Sequence, residues 1–171
     1  YDKYNISIQG MNIRADNAVS CLYFLGSITN QILIENCVLE GADNVIRIID
    51  GKLIELRYNI FTNSEEAIYS SAASTKAYYN VFKNNVTALA ISGILSSAEI
   101  YNNIFFNNEL AVKASYSELT LRNNIFYFED PGQQAINHNE FKFWSDYILF
   151  FPEQPGFIQI GSINYNHLAD F

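Results

Sequence analysis

At 171 residues with a net charge of −8, the chain is long enough for one domain with its own core. A sequence pI near 4.6 argues against nucleic acid and anionic membrane surfaces as partners, because both attract basic faces. No apolar run approaches the roughly 20 residues that span a bilayer, so membrane insertion is not expected either.

Taken in chain order, the first units make sense only beside the later ones. Asn59, Asn80, Asn103 and Asn124 each precede a Val/Ile-Phe pair, at intervals of 21, 23 and 21 residues. A unit of about 22 residues cannot bury its own apolar face and must stack on copies of itself. Ahead of each asparagine, Ile54-Glu55-Leu56-Arg57, Thr75-Lys76-Ala77-Tyr78, Ala98-Glu99-Ile100-Tyr101 and Leu119-Thr120-Leu121-Arg122 alternate with period 2. That is the mark of a strand with one buried face. Upstream the frame continues in weaker form: Met11 and Cys37 take the asparagine slot, with Val19 and Val45 eight residues later, as Ala67, Ala88 and Ala111 are in the later units. The expectation is an all-β solenoid, a parallel β-helix of about six coils of 21–26 residues. Asparagine suits the slot on two counts. It tolerates the left-handed backbone of a sharp turn, and its amides can hydrogen-bond from coil to coil in a ladder.

From Tyr127 to Phe157 the repeat is interrupted and nine aromatics fall within 31 residues, Phe128, Phe141, Phe143, Trp144, Tyr147, Phe150 and Phe151 among them. A solenoid end must be capped or continued. Residues 1–126 are therefore expected to form coils, and residues 127–171 an aromatic-rich loop or cap with a terminal coil. The start at Tyr1 in mid-pattern points to a piece of a larger protein.

The phrases Leu121-Arg122-Asn123-Asn124-Ile125-Phe126 and Ile100-Tyr101-Asn102-Asn103-Ile104-Phe105-Phe106-Asn107-Asn108 resemble the repeats of right-handed parallel β-helix proteins of the pectin-lyase-like superfamily. Ser145-Asp146-Tyr147-Ile148-Leu149-Phe150, Ile160-Gly161 and Tyr165-Asn166-His167-Leu168-Ala169-Asp170-Phe171 are similar to the closing stretch of many secreted bacterial members, with Ile148 and His167 as departures. The resemblance implies an extracellular or cell-surface location and a polysaccharide partner. There is a weaker likeness in style to tāpirin-type cellulose adhesins.

Four outward columns carry the candidate chemistry. Glu55, Lys76 and Glu99 alternate in sign and read as a self-compensating ladder. Arg57, Tyr78, Tyr101 and Arg122 form a second column, in which tyrosines flanked by arginines suit the C–H faces of sugars or simply pair across strands. With Trp144, Phe143 and Tyr147 they are the candidate carbohydrate-binding residues. In the turns, Asp43, Glu65, Glu109 and Asp130 form an acidic column broken by Val86, a candidate for calcium or for solvated turns; no other cofactor is expected. The fourth column holds Arg47 and Lys113, the only candidates for the base of a lyase. They stand three coils apart, about 14 Å at the strand spacing, with no carboxylate in their column. A hydrolase needs two carboxylates facing one bond, and no outward strand column offers them. Cys21 and Cys37 occupy non-equivalent positions and read as small thiols rather than a disulfide. The functional expectation is a non-catalytic polysaccharide-binding or adhesion domain for a cellulose-type glycan, with a fragment of a polysaccharide lyase or glycoside hydrolase as the alternative.

Overall fold

The computed structural model describes residues 6–16, 19–139, 142–151 and 157–165, apart from the side chains of 27–30, 51–52, 164 and 165. Asn17, Phe141, His167 and the rest of the closing motif after Tyr165 lie outside the described residues. Those described contain no helix; parallel strands stack as a β-solenoid of about six turns, the parallel β-helix expected.

One coil shows the plan. Glu66–Ser71 forms the first face, Ser74–Tyr78 the second and Val81–Lys83 the third. The next coil repeats them as Thr87–Ser92, Ser97–Tyr101 and Ile104–Phe106, the one after as Leu110–Ser115, Glu118–Arg122 and Ile125–Tyr127. Partners align residue for residue, as in Tyr78↔Tyr101↔Arg122 and Phe82↔Phe105↔Phe126. In the earlier coils the first and second faces belong to unbroken strands, Ser20–Glu35 and Asn44–Arg57.

The coils do not stop at Phe126. Gln134–Asn139 pairs with Leu110–Ser115, Phe143–Asp146 with Glu118–Arg122, and Leu149–Phe151 with Ile125–Tyr127, all parallel. The aromatic-rich stretch, expected as a loop or cap with a terminal coil, thus supplies a further coil. Its asparagine slot is taken by Ile148, which packs against the core, and so it escapes a search keyed to the polar ladder. Ile158–Ile160 pairs in parallel with Gln134–Asn139, and Ile163–Tyr165 runs antiparallel to it.

Period-2 alternation sends Phe61, Phe82, Phe105 and Phe126 inward, with Leu39 before them and Phe150 after. Adjacent rings stack nearly parallel with centroids 4.8–5.1 Å apart. Asn59, Asn80, Asn103 and Asn124 are buried too, and they form the expected ladder. The Asn80 Oδ1 accepts the Asn59 backbone N–H at 3.0 Å, while its Nδ2 donates to the Leu56 carbonyl at 2.9 Å. Asn103 and Asn124 repeat the motif, and Cys37 begins it by donating its N–H to Asn59 at 3.0 Å. One part of the expectation needs correcting. The left-handed turn residues are those just before the slot, Asn36, Tyr58, Tyr79, Asn102, Asn123 and Tyr147, with φ between 51° and 57°. The ladder asparagines are absent from the positive-φ set, so hydrogen bonding alone selects them.

A second ladder five residues downstream was not anticipated. Ser64 donates its N–H and hydroxyl to Asn85 Oδ1 at 3.2 and 2.7 Å, and Asn85 donates its N–H to Asn108 Oδ1 at 3.0 Å. All three residues are buried. The doublets Asn84-Asn85 and Asn107-Asn108 were its signal: the first asparagine of each takes the left-handed turn, the second the ladder.

Candidate functional site

The outward side of the second face gathers most of the sequence candidates. Its two columns run Glu55, Lys76, Glu99, Thr120, Trp144 and Glu35, Arg57, Tyr78, Tyr101, Arg122, Asp146. Trp144, from the stretch that hid its repeat, therefore stands in register with Thr120, two coils from Tyr101. It is half exposed (53 %), with the Lys142 ammonium 6.0 Å from the ring.

Charges on this face are largely tied up. Arg57 pairs with Glu35 and lies 3.5 Å from Glu55, and the Tyr78 hydroxyl donates to Glu55. The guanidinium is held above its usual range, chiefly by the Glu35 hydrogen bond. Lys76 reaches Glu99 at 3.2 Å and Lys142 reaches Glu118 at 2.7 Å. Burial pushes the Tyr78 and Tyr101 phenols up, so both stay neutral.

Tyr78 and Tyr101 stack at 5.0 Å with their planes 2° apart. Around the corner Tyr79 meets Tyr78 edge-on and stacks on Tyr58 at 5.3 Å. On the next coils the corner positions fall to Asn102 and Asn123, before rising again at Tyr147, which is 79 % exposed. Large side chains thus give way to small ones beside Tyr101, and a cleft of about 430 Å³ opens there, lined by Glu99, Tyr101, Asn102, Thr120, Arg122 and Asn123. Arg122 is exposed, with no ion pair among the described residues. Phe143 does not join this surface; it takes the inward position of Leu119 and packs on the core and on the His138 ring. His138 is itself buried, its Nε2 3.1 Å from the Ser117 carbonyl.

On the first face, Arg47, Tyr69, Ala90 and Lys113 follow one another on successive coils, with the three-coil separation expected. Arg47 lies over the Tyr69 ring at 4.6 Å. Outside that column, Glu66 begins a strand and shares a hollow of about 200 Å³ with Tyr69, Ser92, Lys113 and Ser115. Burial pushes its carboxyl above the usual range, against the pull of Lys113 and Arg47. The folded protein thus holds a proton that the unfolded chain has lost, and stability falls as pH rises from the ordinary carboxylate pKa through the raised value. Glu66→Gln should remove that fall. The variant should melt with the parent below about pH 4 and higher than it at pH 7, by at most about 1 kcal/mol for a half-buried group. Parallel melting curves across that range would remove the burial argument.

The acidic column forms two separate clusters. Asp43 and Glu65 border a hollow of about 310 Å³ with Asp16, and Glu109 and Asp130 one of about 240 Å³ with Asn84, Asn107 and Gln133. Among the described residues no three His, Cys, Asp or Glu side chains come together as a metal site. Cys21 and Cys37 are free.

The third face holds what the sequence reading missed. Of each Val/Ile-Phe pair the phenylalanine points in and the aliphatic residue out. Ile60, Ile104, Ile125 and Leu149 are 40–55 % exposed, beside the stacked Phe106, Tyr127 and Phe151. Such an apolar stripe is the kind of surface that contacts partners.

Fold and surface together define a parallel β-helix with a cleft beside Tyr101 on its second face. Comparison with protein-family models, with curated proteins and with solved structures finds no match to this chain.

Proposed function

We propose that the chain is a non-catalytic polysaccharide-binding domain of a secreted or surface-attached protein, built on the β-helix plan of the pectin-lyase-like superfamily. One observation carries the reading: Tyr101 and the half-exposed Trp144, distant in sequence, stand two coils apart on one outward face, and Tyr101 lines a cleft with hydroxyl, amide, guanidinium and carboxylate groups. Sugars need both kinds of surface, an aromatic plane for their C–H faces and polar groups for their hydroxyls.

Depletion of the protein from solution by insoluble glycans tests the proposal, with cellulose first and released sugar assayed in the same tubes. Trp144→Ala is expected to lose at least tenfold in apparent affinity while its circular dichroism stays unchanged. Retained depletion by the variant would remove Trp144 from the site. The alternative, a fragment of a lyase or hydrolase, draws support from the hollow shared by Glu66 and Lys113. Released unsaturated uronate, lost in Lys113→Ala, would decide for it.

A further inference from the structure

Tyr78 and Tyr101 are register partners on adjacent coils, so the line between their ring centres runs close to the solenoid axis. Parallel rings in contact at about 3.5 Å, with centres 5.0 Å apart, have normals within about 45° of that line. Their faces therefore turn at least as much along the solenoid as away from its axis. Tyr78 covers one face of Tyr101, and the other turns toward the coil of Thr120 and Arg122, where the cleft lies. The coil of Trp144 and Asp146 begins two strand spacings from that of Tyr101, about 9.6 Å away. A ring stacked on Tyr101 fills the intervening coil's width and leaves no room for a second.

From this geometry we infer that the cleft is a slot one pyranose ring thick, taking a single neutral glycan chain that runs along the strands, across the solenoid axis. The inference rests on the polysaccharide-binding reading above and specifies its ligand. A tyrosine face inclined along the axis meets a flat crystalline glycan surface only obliquely, whereas a separate chain can slide a ring into the slot. Thr120, Arg122, Asn102 and Asn123 lie where the ring's hydroxyls would be. Charge selects against an acidic sugar. Arg122 shares the cleft with Glu99 and has Asp146 as its register partner, in a chain of net charge −8. The slot therefore carries no excess positive charge to draw a uronate.

Trp144 is the only tryptophan, so its emission reports on the neighbouring coil without a label. The experiment titrates the intact chain with neutral hexasaccharides (cello-, xylo- and mannohexaose), with hexagalacturonate as the acidic counterpart and crystalline cellulose as the surface. At least one neutral hexasaccharide is expected to shift the emission saturably. Tyr101→Ala should weaken that binding tenfold or more, Tyr101→Phe by less than twofold, and Thr120→Trp, which fills the slot and leaves the wall in place, should abolish it. Tighter binding of hexagalacturonate would overturn the neutral-chain inference. Depletion by crystalline cellulose with no response to any soluble hexasaccharide would overturn the slot and leave the polysaccharide-binding reading standing. Silence toward every glycan would overturn both.

Discussion

Phe105→Ala is expected to cost about 3–5 kcal/mol of folding stability, the largest effect of any single change proposed for this chain. The ring is 1 % exposed and lies between Phe82 at 5.0 Å and Phe126 at 4.8 Å. Its neighbours are held in register by coils on both sides, so the cavity left by truncation cannot collapse. Further along the same column Phe150 is 5 % exposed, stacks on Phe126 on one side and meets Phe157 edge-on, so it lacks a second registered ring. Phe150→Ala should therefore cost clearly less. Urea unfolding of the two variants checks the order. Equal losses would mean that the stack acts as a generic apolar filling and that its registered geometry adds nothing.

Asn80→Ala should cost about 2–4 kcal/mol, lowering the melting temperature by on the order of 10 °C. Its side chain accepts from the Asn59 backbone and side-chain amides and donates to the Leu56 and Tyr78 carbonyls and to Asn103 Oδ1. Removing it leaves the buried Asn59 N–H without its acceptor, the Leu56 carbonyl without a donor, and the Asn59 amide one bond short. Asn80→Asp repairs only part of this. It keeps an acceptor for Asn59 but turns a carboxylate oxygen toward the Leu56 carbonyl, so it should be no more stable than the alanine variant. Losses below experimental error in Asn80→Ala would show that water takes over the freed groups and that the ladder is not a source of stability.

Both predictions bear on function because the cleft is a property of the stack. Tyr101 and Thr120 belong to successive coils joined by backbone pairing and by the bond from Asn103 to Asn124, and Trp144 to the next coil, joined by backbone pairing. A change that loosens the ladder at Asn103 or Asn124 should weaken ligand binding without touching the cleft directly. Rigid placement lowers the ordering cost of binding, and a solenoid supplies that rigidity over its length.

How much of this was legible beforehand differs from element to element. The Asn-Ile-Phe phrases were enough to find the period, the ladder slot and the inward phenylalanines. They also led the eye away from the coil around Trp144, because Ile148 fills the slot there and packs on the core where asparagine would hydrogen-bond. The second ladder was written in the Asn84-Asn85 and Asn107-Asn108 doublets, masked by an abundance of asparagine. The outward Ile60, Ile104 and Ile125 were read together with the phenylalanines as one apolar signal, although strict alternation sends adjacent residues to opposite sides.

The sequence by itself determined that the chain is a stack of strands, which side chains enter its core and which columns face out, since these follow from a local period and from hydrogen-bonding capacity. Only the tertiary structure decided which outward residues meet. Corners of unequal length set the register from coil to coil, and that register brings Trp144 beside Thr120, turns the Tyr101 face into a cleft and seats Glu66 near Lys113. No local pattern encodes those meetings, because each depends on the backbone pairing of residues more than twenty positions apart.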